Sequence, residues 1–204
     1  MVATRAYDET IQVPGAVRFP IDLDAPEGFD PALIETWPKV EGRLEFVEGR
    51  LRYMPPCGDV QQDTVTDVVI ILGSWVRSHQ ADFLLGTNEA GMRLRGATRA
   101  ADAAMWRRRD AGPRTGGLRT QPPLLAVEVA GRYDPEEMLQ EKASWYLACG
   151  VEIVWLVLPE PRQVVVVTAA GQDRRRSGEV LPAHAGLPDL TPPVDDFFVQ
   201  ISGG

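Results

Sequence analysis

The stretch "LLAVEVAGRYDPEEMLQEKASWYLACGVEIVWLVLP", residues 124–159, decides the fold, because it reads as a strand, a helix and a second strand in succession. In "LLAVEV" every residue except Glu128 is apolar or small, the pattern of a strand covered on both faces. An unpaired carboxylate in that setting carries a desolvation penalty of several kcal/mol, so Glu128 needs a cation, strong donors or a proton. Asp134 as N-cap, Pro135 at the first helical position, Glu137 three residues after the cap and Gly150 just past the end predict a helix from Pro135 to Cys149. On a helical wheel Lys142 falls among Leu139, Tyr146, Cys149, Met138 and Trp145, while Glu136, Glu137, Gln140, Glu141 and Ser144 take the opposite side. An amine within the apolar arc points toward the sheet, where Glu128 needs a partner. The bland alternative is a snorkelling lysine and a structural ion pair.

Further along, "EIVWLVL" and "QVVVVTAA" read as two more strands separated by "PEPR". Upstream, "RLEFVEGRLRYM" alternates apolar and polar residues on both sides of Glu48-Gly49, which predicts a β-hairpin. A helix is expected from Val60 to about His79, with Val65, Val68, Val69, Leu72 and Val76 along one stripe. Short strands are expected at "DFLLGT", "AGMRLR" and "AADAAMW", followed by "RRRDAGPRTGGLRTQPP", which has the composition of a mobile loop. This order predicts an α/β domain with a mixed central sheet flanked by helices and an N-terminal β-hairpin. Residues 1–43, rich in Pro and acids, read as an N-terminal arm with a short helix near "PALIETW", and residues 44–204 as a single domain.

The 204 residues, 44% of them hydrophobic, suffice for one sizeable core. The start "MVATRAYDETIQVPG" lacks the apolar segment of a signal peptide and no apolar run is long enough to span a bilayer, so a soluble, cytoplasmic protein is expected. Cys57 and Cys149 have no metal-ligand spacing. A net charge of -8 disfavours non-specific coating of nucleic acid. Charge is uneven, however: Arg93, Arg95, Arg99, Arg107, Arg108, Arg109, Arg114 and Arg119 cluster between Met92 and Thr120, and the loop "RRRDAGPRTGG" within that stretch reads equally as a contact for phosphates beside a catalytic site or as a solvated loop. No G-x-S-x-G elbow or phosphate-binding glycine loop is present, which excludes the commonest nucleophilic hydrolases and nucleotide-cofactor enzymes. Trp75, Trp145 and Trp155 fall on apolar stripes and read as core.

Asp102 is an acid among alanines in "RAADAAMW". Carboxylates on neighbouring strand ends suit Mg²⁺, which uses one or two protein carboxylates plus waters and phosphate oxygens. A lysine nearby can orient or help deprotonate an attacking water and offset charge on a phosphoryl oxygen. Asp102, Glu128 and Lys142 thus form a candidate hydrolytic constellation.

Asp102, then Glu128, then a lysine resembles the PD-(D/E)XK nuclease superfamily. More closely, residues 124–167 are similar to the Uma-two-like restriction-endonuclease family, through Glu128, Val129, Asp134, Lys142, Tyr146, Gly150, Val151 and Trp155. "LEFVEGRLRYMPP" resembles that family's hairpin, with its acid at Glu45, and "GMRLRGATRAADAAMW" its strand pair with the motif aspartate at Asp102. The resemblance implies a restriction-endonuclease-like fold and metal-dependent hydrolysis of DNA phosphodiesters. Mg²⁺ or Mn²⁺ would be held by Asp102 and Glu128, with Lys142 catalytic and Glu45 close to the metal; a homodimer is also suggested. Ala101 stands where the family has a proline, Gln61 and Gln62 where it often has a histidine, and Gly131 near its usual serine. These departures keep open a second class, a catalytically degenerate nuclease fold serving as a binding or assembly module.

Overall fold

The computed structural model describes residues 19–132 and 134–202, so residues 1–18 of the expected arm lie outside the described residues. The alternating pattern around Glu48-Gly49 forms a hairpin of β2 (Arg43–Val47) and β3 (Arg50–Met54). Glu48 at φ 51° and Gly49 at φ 82° give the doubly left-handed turn that suits the right-handed twist of paired strands. The short β1 (Ile21–Leu23), within the arm stretch, pairs antiparallel with β3. A single 3₁₀ turn, Ile34–Thr36, stands where "PALIETW" predicted a short helix.

Helix α1 (Asp59–Ser78) follows, one residue offset from the expected range. The runs expected as two short strands are one long strand, β4 (Phe83–Leu94), paired along its length with β5 (Ala97–Arg107). Its register shifts between Thr87 and Ala90, where Asn88 and Glu89 both have φ 58°. The bulge interrupts the period-two alternation, which is why the sequence reads as two pieces.

Beyond β5 come β6 (Leu125–Val129), α2 (Glu136–Ala148) and β7 (Ile153–Leu158), then the antiparallel β8 (Gln163–Thr168) and β9 (Gly171–Arg176). β6 and β7 are parallel with α2 as their crossover, and the other strand pairings are antiparallel, so the sheet is mixed as expected. Its order is β1-β3-β2-β5-β6-β7-β8-β9, with β4 alongside β5. Pro135, not Asp134, takes the cap position of α2; Asp134 Oδ2 instead accepts the Gly131 N–H at 2.9 Å.

The helices lie on opposite faces. Val68 and Leu72 of α1 pack with Leu125, Val127 and Val129, while Leu139, Ala143 and Tyr146 of α2 pack with Ala126, Val154 and Leu156. The alternation of β6 therefore sends Glu128 to the α2 side. Trp155 is buried, and Trp75 and Trp145 are partly buried against the core. Val164 to Val167 are all buried between β7 and β9, so that strand offers no apolar surface for a second copy. No helix among the described residues is long and apolar enough to cross a membrane.

Candidate active site

Each residue read as catalytic reaches one region on the α2 side of the sheet. Lys142 Nζ donates to Glu45 Oε1 at 2.8 Å, to Glu128 Oε2 at 2.9 Å and to the Ala100 carbonyl at 2.8 Å. Ala100 closes the ring, its N–H donating to Glu45 Oε1 at 3.3 Å. Three strands and a helix thus converge on one ammonium, and the lysine placed in the apolar arc of α2 points at the sheet, not at solvent.

Asp102 sits beside this ring. Its Oδ2 accepts the Val129 N–H at 2.7 Å, tying the aspartate to the residue after Glu128, and its Oδ1 lies 3.8 Å from Arg43 Nη1. Tyr146, buried in α2, donates its hydroxyl to Glu128 Oε1 at 2.7 Å. Both oxygens of Glu128 are therefore held, one by a phenol and one by an ammonium.

A cavity of about 250 Å³ opens over Lys142 and its two glutamates, lined among others by Arg43, Glu45, Gln61, Glu89, Arg99, Glu128 and Lys142, with Asp102 and Tyr146 behind its wall. Its wall carries five acids (Glu45, Glu89, Glu128, Asp134, Glu141) against four cations (Arg43, Arg52, Arg99, Lys142), and Asp102 adds a further carboxyl beside Arg43. The excess is negative. Burial, then repulsion from Glu89, raises Asp102 to about 6 against the pull of the Val129 N–H and Arg43. Burial, with Asp102 and Glu45 adding to it, raises Glu128 to about 7 despite Lys142. Glu45 goes the other way: burial alone would lift it, but the charge and hydrogen bond of Lys142, with Arg99, take it below its ordinary value. The difference between the two acids follows from their neighbours, since Glu128 faces Asp102 and Glu45 faces Arg99. Burial works against the charge on Lys142, but Glu128 and Glu45 more than reverse it, so the amine is held protonated.

Arg43, Glu89 and Tyr146 belong to this region without having been singled out as site residues. Arg43 is two residues before Glu45 on β2, hence on the same strand face, which is the signal that could have found it. Glu89 reaches the cavity through the β4 bulge, meeting Arg43 at 3.4 Å. The arginine loop behaves otherwise than expected. Arg107 is five residues along β5 from Asp102, roughly 17 Å at strand rise, and pairs with Glu152 at 2.7 Å. Arg108 and Arg109 line a separate hollow with Asp82 and Gly186, and Arg119 lies 4.5 Å over the Trp106 ring. The arginines at the cavity are Arg43, Arg52 and Arg99.

The departures at Gln61 and Gly131 occupy one place. Gln61 is buried in the first turn of α1 and donates its amide to the Val129 carbonyl at 2.9 Å. A Cβ on residue 131 would come within 2.8 Å of Gln61 Oε1 and 2.9 Å of Asp134 Oδ2. The absence of a side chain at 131 leaves room for the glutamine.

No curated protein matches this chain. A crystal structure from Anabaena variabilis ATCC 29413, described as "a putative nuclease belonging to DUF820", superposes with a TM-score of 0.71 at 15% identity, covering 82% of this chain and 96% of that one. At that identity the likeness is one of fold. The Uma2 family, described as "Putative restriction endonuclease", matches residues 31–195, which span β2 through β9 and hold all of the groups around the cavity. The chain belongs to the Uma2 family, with a restriction-endonuclease-like fold.

Proposed function

We propose that this protein hydrolyses phosphodiester bonds of DNA with a divalent cation, Mg²⁺ or Mn²⁺, held by Asp102 and Glu128. The observation that carries the reading is that Glu128 of β6 and the amine of Lys142 line one open cavity, with Asp102 of β5 buried beside it, tied to the Val129 N–H at 2.7 Å and 3.8 Å from the lining Arg43. The donor chemistry fits such an ion: hard carboxylate oxygens in a wall whose acids outnumber its cations, with Glu128 in that wall and Asp102 behind it both raised toward neutrality, chiefly by burial. No cluster of three acid, His or Cys ligands occurs among the described residues; two carboxylates, with waters and phosphate oxygens filling the other positions, would make a Mg²⁺ shell. Bound there, the cation would polarise the phosphoryl group and favour ionisation of the attacking water.

The remaining roles fall to the chain itself. Lys142, held protonated by two carboxylates, serves as a donor to a phosphoryl oxygen or to the attacking water, and not as a base. Tyr146 fixes the carboxyl plane of Glu128, and the Val129 N–H fixes that of Asp102. Glu45 shares the lysine and sets its position.

Nicking of supercoiled plasmid with Mg²⁺ or Mn²⁺ tests the reading. Wild type should nick, and Asp102→Asn and Lys142→Ala should not; activity surviving both substitutions would refute these roles. The internal pairing of Lys142 with both glutamates also favours the second class, a non-catalytic module whose charges are merely structural. Calorimetric titration of Mn²⁺ decides between them, since that class expects equally negligible binding by wild type and Asp102→Ala.

A further inference from the structure

Two arginines of this fold meet a carboxylate closely and with two nitrogens. Arg107 reaches Glu152 at 2.7 and 3.2 Å, and Arg175 reaches Asp173 at 2.7 Å twice. Loose single contacts occur at exposed arginines such as Arg109 and Arg176, but two arginines of the cavity are loosely paired although their side chains are only 18% and 5% exposed. Arg43 lies 3.4 Å from Glu89 and 3.8 Å from Asp102, and Arg99 lies 3.6 Å from Glu141, all longer than a charge-assisted bond of roughly 2.7–2.9 Å. The Nε atoms of both are buried with no hydrogen-bond partner among the described residues. The other cations of the wall are committed, Arg52 to Asp22 at 3.0 Å and Lys142 to its three acceptors.

A guanidinium carries five donors in a rigid fork, and leaving them slack inside a protein is costly unless a ligand supplies acceptors. Arg99 is also held in place, 95% buried at its side chain and 5.0 Å over the Trp145 ring, so its fork is presented and not free to swing. The cavity volume of about 250 Å³ equals about eight waters, room for one tetrahedral oxyanion with its hydration.

We infer that Arg43 and Arg99 are the phosphate-gripping residues of this cavity, taking the non-bridging oxygens of a nucleic-acid phosphodiester whose neighbour across the site is Lys142. The identity of the phosphate as part of DNA rests on the hydrolytic reading above; the anion-gripping role itself rests on the slack guanidinium geometry. The exposed Arg109, paired loosely with Asp110 in the remote hollow, takes no part.

The test titrates inorganic phosphate calorimetrically into the full chain as wild type, Arg43→Lys, Arg99→Lys and Arg109→Ala. Lysine keeps the charge opposite Glu89 and Glu141, so folding is preserved while the planar fork is lost; each position tests the idea independently. Phosphate binding should weaken at least tenfold in Arg43→Lys and in Arg99→Lys and stay unchanged in Arg109→Ala. Equal binding by all four proteins, or no binding by wild type, overturns the inference. On a labelled DNA duplex with Ca²⁺ replacing Mg²⁺, Arg43→Gln and Arg99→Gln should each lower the slope of log K against log salt by about 0.9, one phosphate contact apiece; unchanged slopes overturn it as well. Plasmid nicking by wild type alongside unaltered phosphate binding in both lysine variants would reject the gripping role and spare the nuclease reading. Loss of phosphate binding in the variants without nicking by wild type would reject the nuclease reading and keep the gripping role.

Discussion

Replacing Lys142 with Met removes the ammonium while retaining most of the apolar stem, and so isolates the charge. Glu45 Oε1 and Glu128 Oε2, at 2.8 and 2.9 Å, then lose their shared cation inside the protein. Hydrogen bonds to charged groups contribute roughly 1.5–3 kcal/mol each, which puts the loss at roughly 3–6 kcal/mol. Stranding one side of a buried ion pair costs roughly 3–5 kcal/mol, in agreement. For a chain of this size that lowers the melting temperature by roughly 6–20 °C. The loss should also depend on pH. Without the amine both carboxyls are pushed upward, so the native state binds protons that the unfolded state has released, and stability falls as pH rises. Urea denaturation followed by circular dichroism at about pH 5 and about pH 8 should therefore find a larger deficit at the higher pH. Lys142→Met/Glu128→Gln should recover part of it, because one stranded charge is gone. A variant within about 1 kcal/mol of wild type at both pH values would mean that the ammonium is solvated and its contacts are those of a surface pair, refuting the buried triad.

Three further outcomes follow from the same geometry. Glu128, at about 7 when folded, stabilises the protein fully only below its unfolded value and loses that contribution as pH rises through the folded one. The rise from 4.5 to about 7 corresponds to something on the order of 3 kcal/mol, so Glu128→Gln should flatten the stability profile between about pH 4 and 7, and a profile parallel to wild type would contradict it. Tyr146→Phe deletes the 2.7 Å donor to Glu128 and should cost roughly 1.5–3 kcal/mol in urea denaturation while moving the pH-dependent loss to higher pH. Gly131→Ala drives a methyl against Gln61 and Asp134 and should cost roughly 1–3 kcal/mol; combined with Gln61→Ala it should cost less than the two changes added, as a double-mutant cycle would measure.

What could be read from sequence was whatever violated a pattern. Glu128 stood out because a buried strand has no place for an acid, Lys142 because a helix face changed character at one residue, and Asp102 because its neighbours are alanines. Arg43 gave no such signal: an arginine opening a hairpin strand is ordinary until the strand's partner face is known. Glu89 was invisible for another reason, since its direction depends on the bulge at Asn88-Glu89, and backbone irregularities are not written in hydrophobic periodicity. The bulge also split β4 into two apparent strands. The arginine run told only part of the story, because sequence gives its charge but not its distance: Arg99 lines the cavity, while β5 carries Arg107, and the turn after it Arg108 and Arg109, away from Asp102.

The network around Lys142 is hard to account for as scaffolding. Seven charged groups, Arg43, Glu45, Glu89, Arg99, Asp102, Glu128 and Lys142, from β2, β4, β5, β6 and α2 gather in this region, with Glu128 and Asp102 both raised toward neutrality and Arg43 and Arg99 incompletely paired. A core that needed only cohesion would be as stable or more so with apolar residues in those places, because buried ion pairs seldom repay their desolvation. A divalent cation between Asp102 and Glu128 would lower both carboxyls, and a phosphate would complete both guanidiniums, so each imperfection has a ligand that corrects it. The same reasoning couples the two ligands: with acids in excess on the wall, cation and anion each strengthen the other's binding, so binding of phosphate should tighten when Mn²⁺ is present in wild type but not in Asp102→Asn.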